Sequence, residues 1–171
     1  PSYDLCPTVK ISDITGQIKD LICYVLENYD GKISLTGHSA GGHLVSRMVS
    51  ADQWKRSNLR SDLLNRLNHV VAISPITDLR PLLKTSMNNK FKLNYNTAEQ
   101  ESPVFHTKMN VPFSVFVGEN ERPAFLSQAK YLSQAWSCSK IIAKGKHHFN
   151  VLDDLENERS DLVNLLTKTC R

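Results

Sequence analysis

The sequence predicts an α/β protein whose mostly parallel sheet carries helices on both faces. Three observations point there. Helix-like and strand-like periods alternate along the whole chain, the order that a parallel sheet requires. The run His69-Val70-Val71-Ala72-Ile73-Ser74 is apolar almost throughout, as strands buried on both faces are. The glycine-rich turn Gly37-His38-Ser39-Ala40-Gly41-Gly42 stands between a strand-like and a helix-like segment, at a strand's carboxyl end. Sheets of this kind place their functional groups there.

Each element has its own warrant. Over residues 12–29, Ile14, Ile18, Leu21, Ile22, Val25 and Leu26 recur on one face of a helix, with Ser12 or Asp13 as the cap and Asp30-Gly31 as the stop. Lys32–Thr36 is short and rich in β-branched residues, a strand. The chain is helical again from near Ala40, with Leu44, Val45, Met48 and Val49 as its apolar positions. A polar stretch follows, with one more helix expected around Ser61–Leu67, and then the strand at 69–74, stopped by Pro75. Residues 76–110 read as loops and short helical pieces, among them one at Leu79–Leu83, with Pro81 and Pro103 as breakers. Phe113–Val117 is a third strand, Ala124–Trp136 a helix, Lys140–Ala143 a fourth strand, and residues 151–168 a closing helix on Val151, Leu155, Leu162, Leu165 and Leu166.

The bulk numbers fit one domain. The 171 residues are 40% hydrophobic and 22% charged, enough to bury a core without staples. A net charge of +4 is mild, and Lys140, Lys144 and Lys146, the densest basic stretch, carry no arginine or stacking aromatic, so a solvated face is expected rather than a nucleic-acid site. Cys6, Cys23, Cys138 and Cys170 form no CxxC and no zinc spacing; scattered thiols fit a reducing, cytoplasmic compartment. No apolar run approaches the ~20 residues that span a bilayer.

Gly37-His38-Ser39-Ala40-Gly41 fits G-x-S-x-G in the strand–turn–helix setting that this motif needs. A nucleophile on so sharp a turn projects its Oγ clear of the backbone, at the cost of a sparsely populated φ/ψ. Gly37 and Gly41 are expected where a Cβ would crowd the strand or the helix. The Ala40 N–H, at the start of the helix, is a candidate donor to an oxyanion. Serine needs a base, and the base an orienting acid, in the chain order Ser, acid, His. Glu121, three residues past Gly118, and His148, in the loop after the fourth strand, supply them. Asp78 is a rival for the acid, although it can instead cap the short helix that follows it, and His147 is a rival for the base. His38 and His43 are too tied to the turn to serve and are expected to pack or to line a pocket. His69 and His106 are read as structural.

Tyr3-Asp4-Leu5-Cys6-Pro7, Gly37–Leu44, Asp78-Leu79-Arg80-Pro81-Leu82, Val117–Glu121 and His147-His148-Phe149 together resemble the kynurenine formamidase (arylformamidase) branch of the α/β-hydrolases. The resemblance runs along nearly the whole chain. It implies the α/β-hydrolase fold and a triad of Ser39, Glu121 and His148, where some relatives carry Asp in place of Glu121. It also implies cleavage of N-formyl-L-kynurenine in tryptophan breakdown, with no metal or organic cofactor. One departure stands out: such hydrolases carry an N-terminal part with further strands and an HGG-type loop that supplies oxyanion donors. The sequence starts at Pro1 and contains no HGG. The expectation is therefore an incomplete domain over residues 1–171 with the N-terminal strands absent, weak or inactive on its own and exposing the edge of the strand at Lys32–Thr36.

The expected partners are a small-molecule substrate, an aryl formamide or small ester, and at most a second copy of the chain as a homodimer; neither nucleic acid nor membrane is expected. A broad-specificity carboxylesterase is the competing activity. A catalytically silent binding domain is the competing reading from another class. Arg80 and Tyr3 are candidates for the amino-acid end of the substrate, with surface or packing roles as the alternative.

Overall fold

Four parallel strands lie side by side in chain order: β1 (Ile33–His38), β2 (Leu67–Ile73), β3 (Phe113–Gly118) and β4 (Ser139–Ala143). The computed structural model describes residues 1–55, 59 and 61–167. Cys170 and the expected last residue of the closing helix, 168, lie outside the described residues.

The period-two alternation of β2 decides how the layers assemble. Val70 and Ala72 point to one face, Val71 and Ile73 to the other, and all four are buried. On the first face they meet α2 (Ala40–Met48) through Val45 and its capping residue Val49, and α6 (Pro123–Ala135) through Ala129 and Leu132. On the second they meet α7 (Asp161–Thr167) through Leu162, and the 3-10 turn Asn150–Glu156 through Val151. The long helix α1 (Ile11–Asn28) packs outside α2: Ile14, Ile18, Ile22 and Leu26 close on Leu44 and Met48. The remaining helices are one-turn pieces or little more: α3 (Ser61–Leu64), α4 (Asn88–Phe91) and α5 (Tyr95–Gln100).

The parallel sheet with helices on both faces is as expected, and the four strands fall where the β-branched runs placed them. Several boundaries differ. α1 starts at Ile11, ahead of Ser12 and Asp13, with Lys10 as the capping residue; Asp13 reaches back and accepts the Lys10 N–H at 2.8 Å. The helix expected around Ser61–Leu67 stops at Leu64, and β2 begins at Leu67 rather than His69. The closing helix is broken into the 3-10 turn Asn150–Glu156 and α7. Between them Asn157 Oδ1 accepts the Arg159 N–H, and Ser160 Oγ accepts the Val163 N–H while donating to the Asp154 carbonyl. These local side-chain bonds compete with helix continuation and restart it one turn later. Among the described residues, β1 ends the sheet on one side.

Candidate active site

Register brings the carboxyl ends of the four strands to one rim, and each strand end is tied to its neighbour. The Ser39 N–H donates to Ile73 O (2.9 Å), the Ser74 N–H to Phe116 O (2.7 Å) and the Glu119 N–H to Ala143 O (2.9 Å). The residues just beyond these ties form the site.

Ser39 sits at φ 56°, ψ −111°, a strained conformation for a residue with a Cβ. Its carbonyl accepts the His43 and Ile76 N–H groups, which helps hold the turn. Gly37 is required as expected: a Cβ there would lie 2.3 Å from the Gly41 carbonyl oxygen. The expectation for Gly41 is corrected, since a Cβ on Gly41 would meet nothing within 4 Å. The tight position is Gly42, where a Cβ would lie 2.9 Å from Pro75 Cα. The crowding comes from the backbone after β2, not from the turn itself. Ser39 Oγ makes no hydrogen bond among the described residues, and neither does the Ala40 N–H at the first position of α2.

Glu121 is the most constrained side chain of the site. Its side chain is 0% exposed. Oε1 accepts the Gly118 N–H at 3.1 Å and the Ser74 hydroxyl, and Oε2 faces His148 Nδ1 at 2.7 Å. Gly118 must lack a side chain, because a Cβ there would lie 2.5 Å from the Lys146 carbonyl. The His148 ring is clamped on two sides. Phe125 stacks on it at 4.0 Å and 29°, and His38 packs at 4.5 Å and 45°. Since His38 directly precedes Ser39, this contact brings the imidazole of residue 148 beside the elbow. No hydrogen bond joins His148 Nε2 to Ser39 Oγ in this structure.

The rivals are placed elsewhere. Asp78 accepts the Arg80 N–H at 3.0 Å and pairs with its guanidinium at 2.8 Å, while Leu79, not Asp78, stands at the cap position of the 3-10 turn Arg80–Lys84. His147 Nδ1 accepts the Phe149 and Asn150 N–H groups, tying down its own loop. Arg80 is spent on Asp78 and lies over the Phe105 ring at 4.3 Å. Tyr3, by contrast, lines a cavity that opens at Ser39. His43 is buried and bonded to the Glu101 carbonyl at 2.6 Å; burial pulls its pKa down to about 4, so it is a neutral donor. His38 is also shifted down, first by burial and then by the His148 charge, and its Nε2 has no partner among the described residues. His69 bonds Ser114, and His106 bridges Asp52 and the Gln100 carbonyl, both structural as expected. Among the described residues no group of three or more His, Cys, Asp or Glu is placed to hold a metal, and no helix is long and apolar enough to cross a membrane.

Sequence reasoning missed Ser74, Phe125 and the packing role of Gly118. Ser74 carried a signal, since it closes the apolar run next to the strand that delivers the acid; the structure adds that it is at positive φ (46°). Nothing in the linear pattern marks Phe125.

No family model matches the chain. Kynurenine formamidases of Danio rerio and Salmo salar are each 26% identical to it over 97% of its length. The chain spans 59% and 60% of those two relatives. Among solved structures, a protein of a Silicibacter species assigned as a thioesterase is 48% identical, with a TM-score of 0.91 over 98% of this chain and 63% of that one. Esterase 2 of Thermogutta terrifontis shares the fold at 20% identity, with a TM-score of 0.66 over 95% of this chain and 69% of that one. The chain has the α/β-hydrolase fold, and its sequence is similar to those of kynurenine formamidases.

Proposed function

We propose that this chain carries the catalytic centre of a serine hydrolase, with aryl formamides as its substrate class. The observation that supports it most is the pair of buried Glu121 and half-buried His148, set beside a strained serine whose Oγ is unengaged. In this reading His148 Nε2 takes the proton of Ser39 as Oγ bonds to the substrate carbonyl carbon. Glu121 holds Nδ1 protonated and stabilises the imidazolium. The Ala40 N–H faces the oxyanion. His148 then gives its proton to the leaving amine as the C–N bond breaks. Water, deprotonated by the same imidazole, attacks the formyl-enzyme; formate leaves and Oγ regains a proton. Residue chemistry suffices, with no metal or cofactor step.

His38 and Phe125 act by position. Held neutral, His38 packs on the imidazolium without repelling it, and Phe125 fixes the ring plane. N-formyl-L-kynurenine, hydrolysed to L-kynurenine and formate in tryptophan catabolism, is the substrate that the formamidase relatives suggest. A small ester is the second reading, since the same triad cleaves acyl esters; the Silicibacter protein, 48% identical, is assigned as a thioesterase, which adds thioesters to that class. The Cys6 and Cys138 thiols fit a reducing, cytoplasmic setting.

The test uses the full-length protein. A fluorophosphonate is expected to label wild type at Ser39 and leave Ser39→Ala unlabelled, and formylkynurenine is expected to be turned over. Ester cleavage without formamide cleavage rejects the formamidase reading. A wild type that neither labels nor turns over either substrate rejects the hydrolase.

A further inference from the structure

A cavity of about 240 Å3 opens at Ser39, and His148 is not part of its wall. Its floor is Ile14, Leu44 and Leu79, all buried, and its rim is Leu5 and Met87, both exposed. No Asp, Glu, Lys or Arg lines it. Its ionisable side chains are Tyr3, Cys6 and His43; burial raises the Cys6 thiol, and His43 is uncharged near neutral pH and already donates to the Glu101 carbonyl. An ammonium or carboxylate placed there would be desolvated without a partner, which is costly. The cavity is dry by composition and selects an apolar group.

Its position says which part of a substrate that group belongs to. Ser39 and Ala40 lie in the wall, whereas His148, Phe125 and Phe149 do not. The leaving group must sit against His148 to receive its proton. What enters the cavity is therefore the other substituent of the carbonyl. A formyl group, with hydrogen in that place, leaves the space unused. A 150 Å3 apolar cavity holds a benzene ring, so by proportion this one holds roughly ten carbon-sized atoms at most.

We propose that the cavity is an acyl-binding site, and that this centre also hydrolyses neutral esters whose acyl group is an apolar chain of roughly six to ten carbons or a benzoyl-sized ring. The inference rests on the nucleophile reading of Ser39. The acyl carbon bonds to Oγ as its C–O bond breaks, the alcohol leaves with the proton from His148, and water releases the carboxylic acid. Cavity size and polarity set the acyl preference; the rim opposite serves the leaving group.

The experiment is a p-nitrophenyl ester series from acetate to dodecanoate on the full-length protein, with an ester of equal length ending in a carboxylate, and with fluorophosphonate labelling in parallel. Each methylene that enters the cavity is expected to raise kcat/KM about threefold to fourfold until the space is full. The terminal carboxylate is expected to lower it at least about tenfold relative to its neutral analogue. Leu82, a half-buried wall residue, supplies the second arm. Leu82→Trp is expected to cut the octanoate-to-acetate ratio about tenfold or more while Ser39 still labels. A flat series, or one highest at acetate, in an enzyme that labels at Ser39 overturns the acyl-site assignment and leaves the nucleophile reading standing. So does an unchanged ratio in a folded Leu82→Trp protein. Absence of both labelling and turnover overturns the two together.

Discussion

Replacing Glu121 with Gln separates the chemical role of this side chain from its structural one. Oε1 carries two of its three bonds, from the Gly118 N–H and the Ser74 hydroxyl, and Oε2 carries the third, to His148 Nδ1. Gln keeps an acceptor at Oε1, so both buried donors stay satisfied and the fold should lose little. At the other position it presents an NH2 group to Nδ1. The imidazole must then expose its lone pair at Nδ1 and carry its proton on Nε2, where it cannot accept one from Ser39. The change of tautomer should lower kcat/KM about 10^3–10^4-fold, as it does when the acid of a serine triad becomes an amide. Ala differs in kind. It strands the Gly118 N–H and the Ser74 hydroxyl in a dry interior at about 1–3 kcal/mol each, about 2–6 kcal/mol in all. Asp is shorter by one carbon–carbon bond, about 1.5 Å. It can keep its bonds to the Gly118 and Ser74 donors or its contact with His148, and an intermediate loss of rate is expected. Ester or formamide turnover and a urea melt on each variant read the two effects separately. A Gln variant within tenfold of wild type, or one destabilised as much as Ala, would refute the assigned tautomer.

Other outcomes follow from single contacts. Ser74→Ala removes one of the two donors on Oε1 and should lower kcat about tenfold with little change in KM, because it loosens the acid rather than a substrate contact; equal losses in both would argue against that role. Gly37→Ala drives a Cβ to 2.3 Å from the Gly41 carbonyl, backbone against backbone, and should cost about 3 kcal/mol or more in a denaturant melt, whereas Gly41→Ala, a helical position whose Cβ meets nothing, should leave stability unchanged or raise it by up to about 1 kcal/mol. His43 gives a pH prediction. Its folded pKa of about 4 lies below the usual 6.5, so the unfolded chain binds the extra proton first. Stability is therefore unaffected above about pH 6.5 and falls as pH drops through the window from 6.5 to 4, by on the order of 3 kcal/mol in full. His43→Gln, which keeps a donor for the Glu101 carbonyl, should flatten that part of the profile, and a slope equal to wild type would rule out His43 as its source.

What was legible in the sequence follows the range of the forces involved. The four strands were readable because β-branched runs such as Val70–Ile73 answer to burial on both faces, a property carried by each residue. Ser39 was readable because a strained turn needs small neighbours close in sequence. Glu121 and His148 were readable as a pair because both lie just past strand ends. The closing helix was misread because its apolar spacing continues across Asn157–Ser160, while the break comes from side chains bonding to their own backbone. The choice between Gly41 and Gly42 was not readable at all. It is decided by Pro75, more than thirty residues away, resting against α2.

Two of the three described serines at positive φ, Ser39 and Ser74, make one arrangement. Both directly follow a strand, and both donate their N–H to the neighbouring strand, Ser39 to Ile73 at the end of β2 and Ser74 to Phe116 near the end of β3. A residue in such a conformation costs about 1–3 kcal/mol and persists only where its surroundings over-determine it. Here each serine is fixed by the strand that carries the next member of the site. The tie from Ser39 lands on the residue before Ser74, and the tie from Ser74 lands two residues before Gly118, whose N–H binds the same Glu121 oxygen as the Ser74 hydroxyl. The last tie, from Glu119 to Ala143, joins the loop that carries Glu121 to the end of β4, from which the His148 loop leaves. A shift at any one rung would move every later group relative to Ser39. Strain at the first rung is thus held by the hydrogen bonds that align the acid and the base, and the nucleophile's conformation and the geometry of its partners should be lost together rather than one at a time.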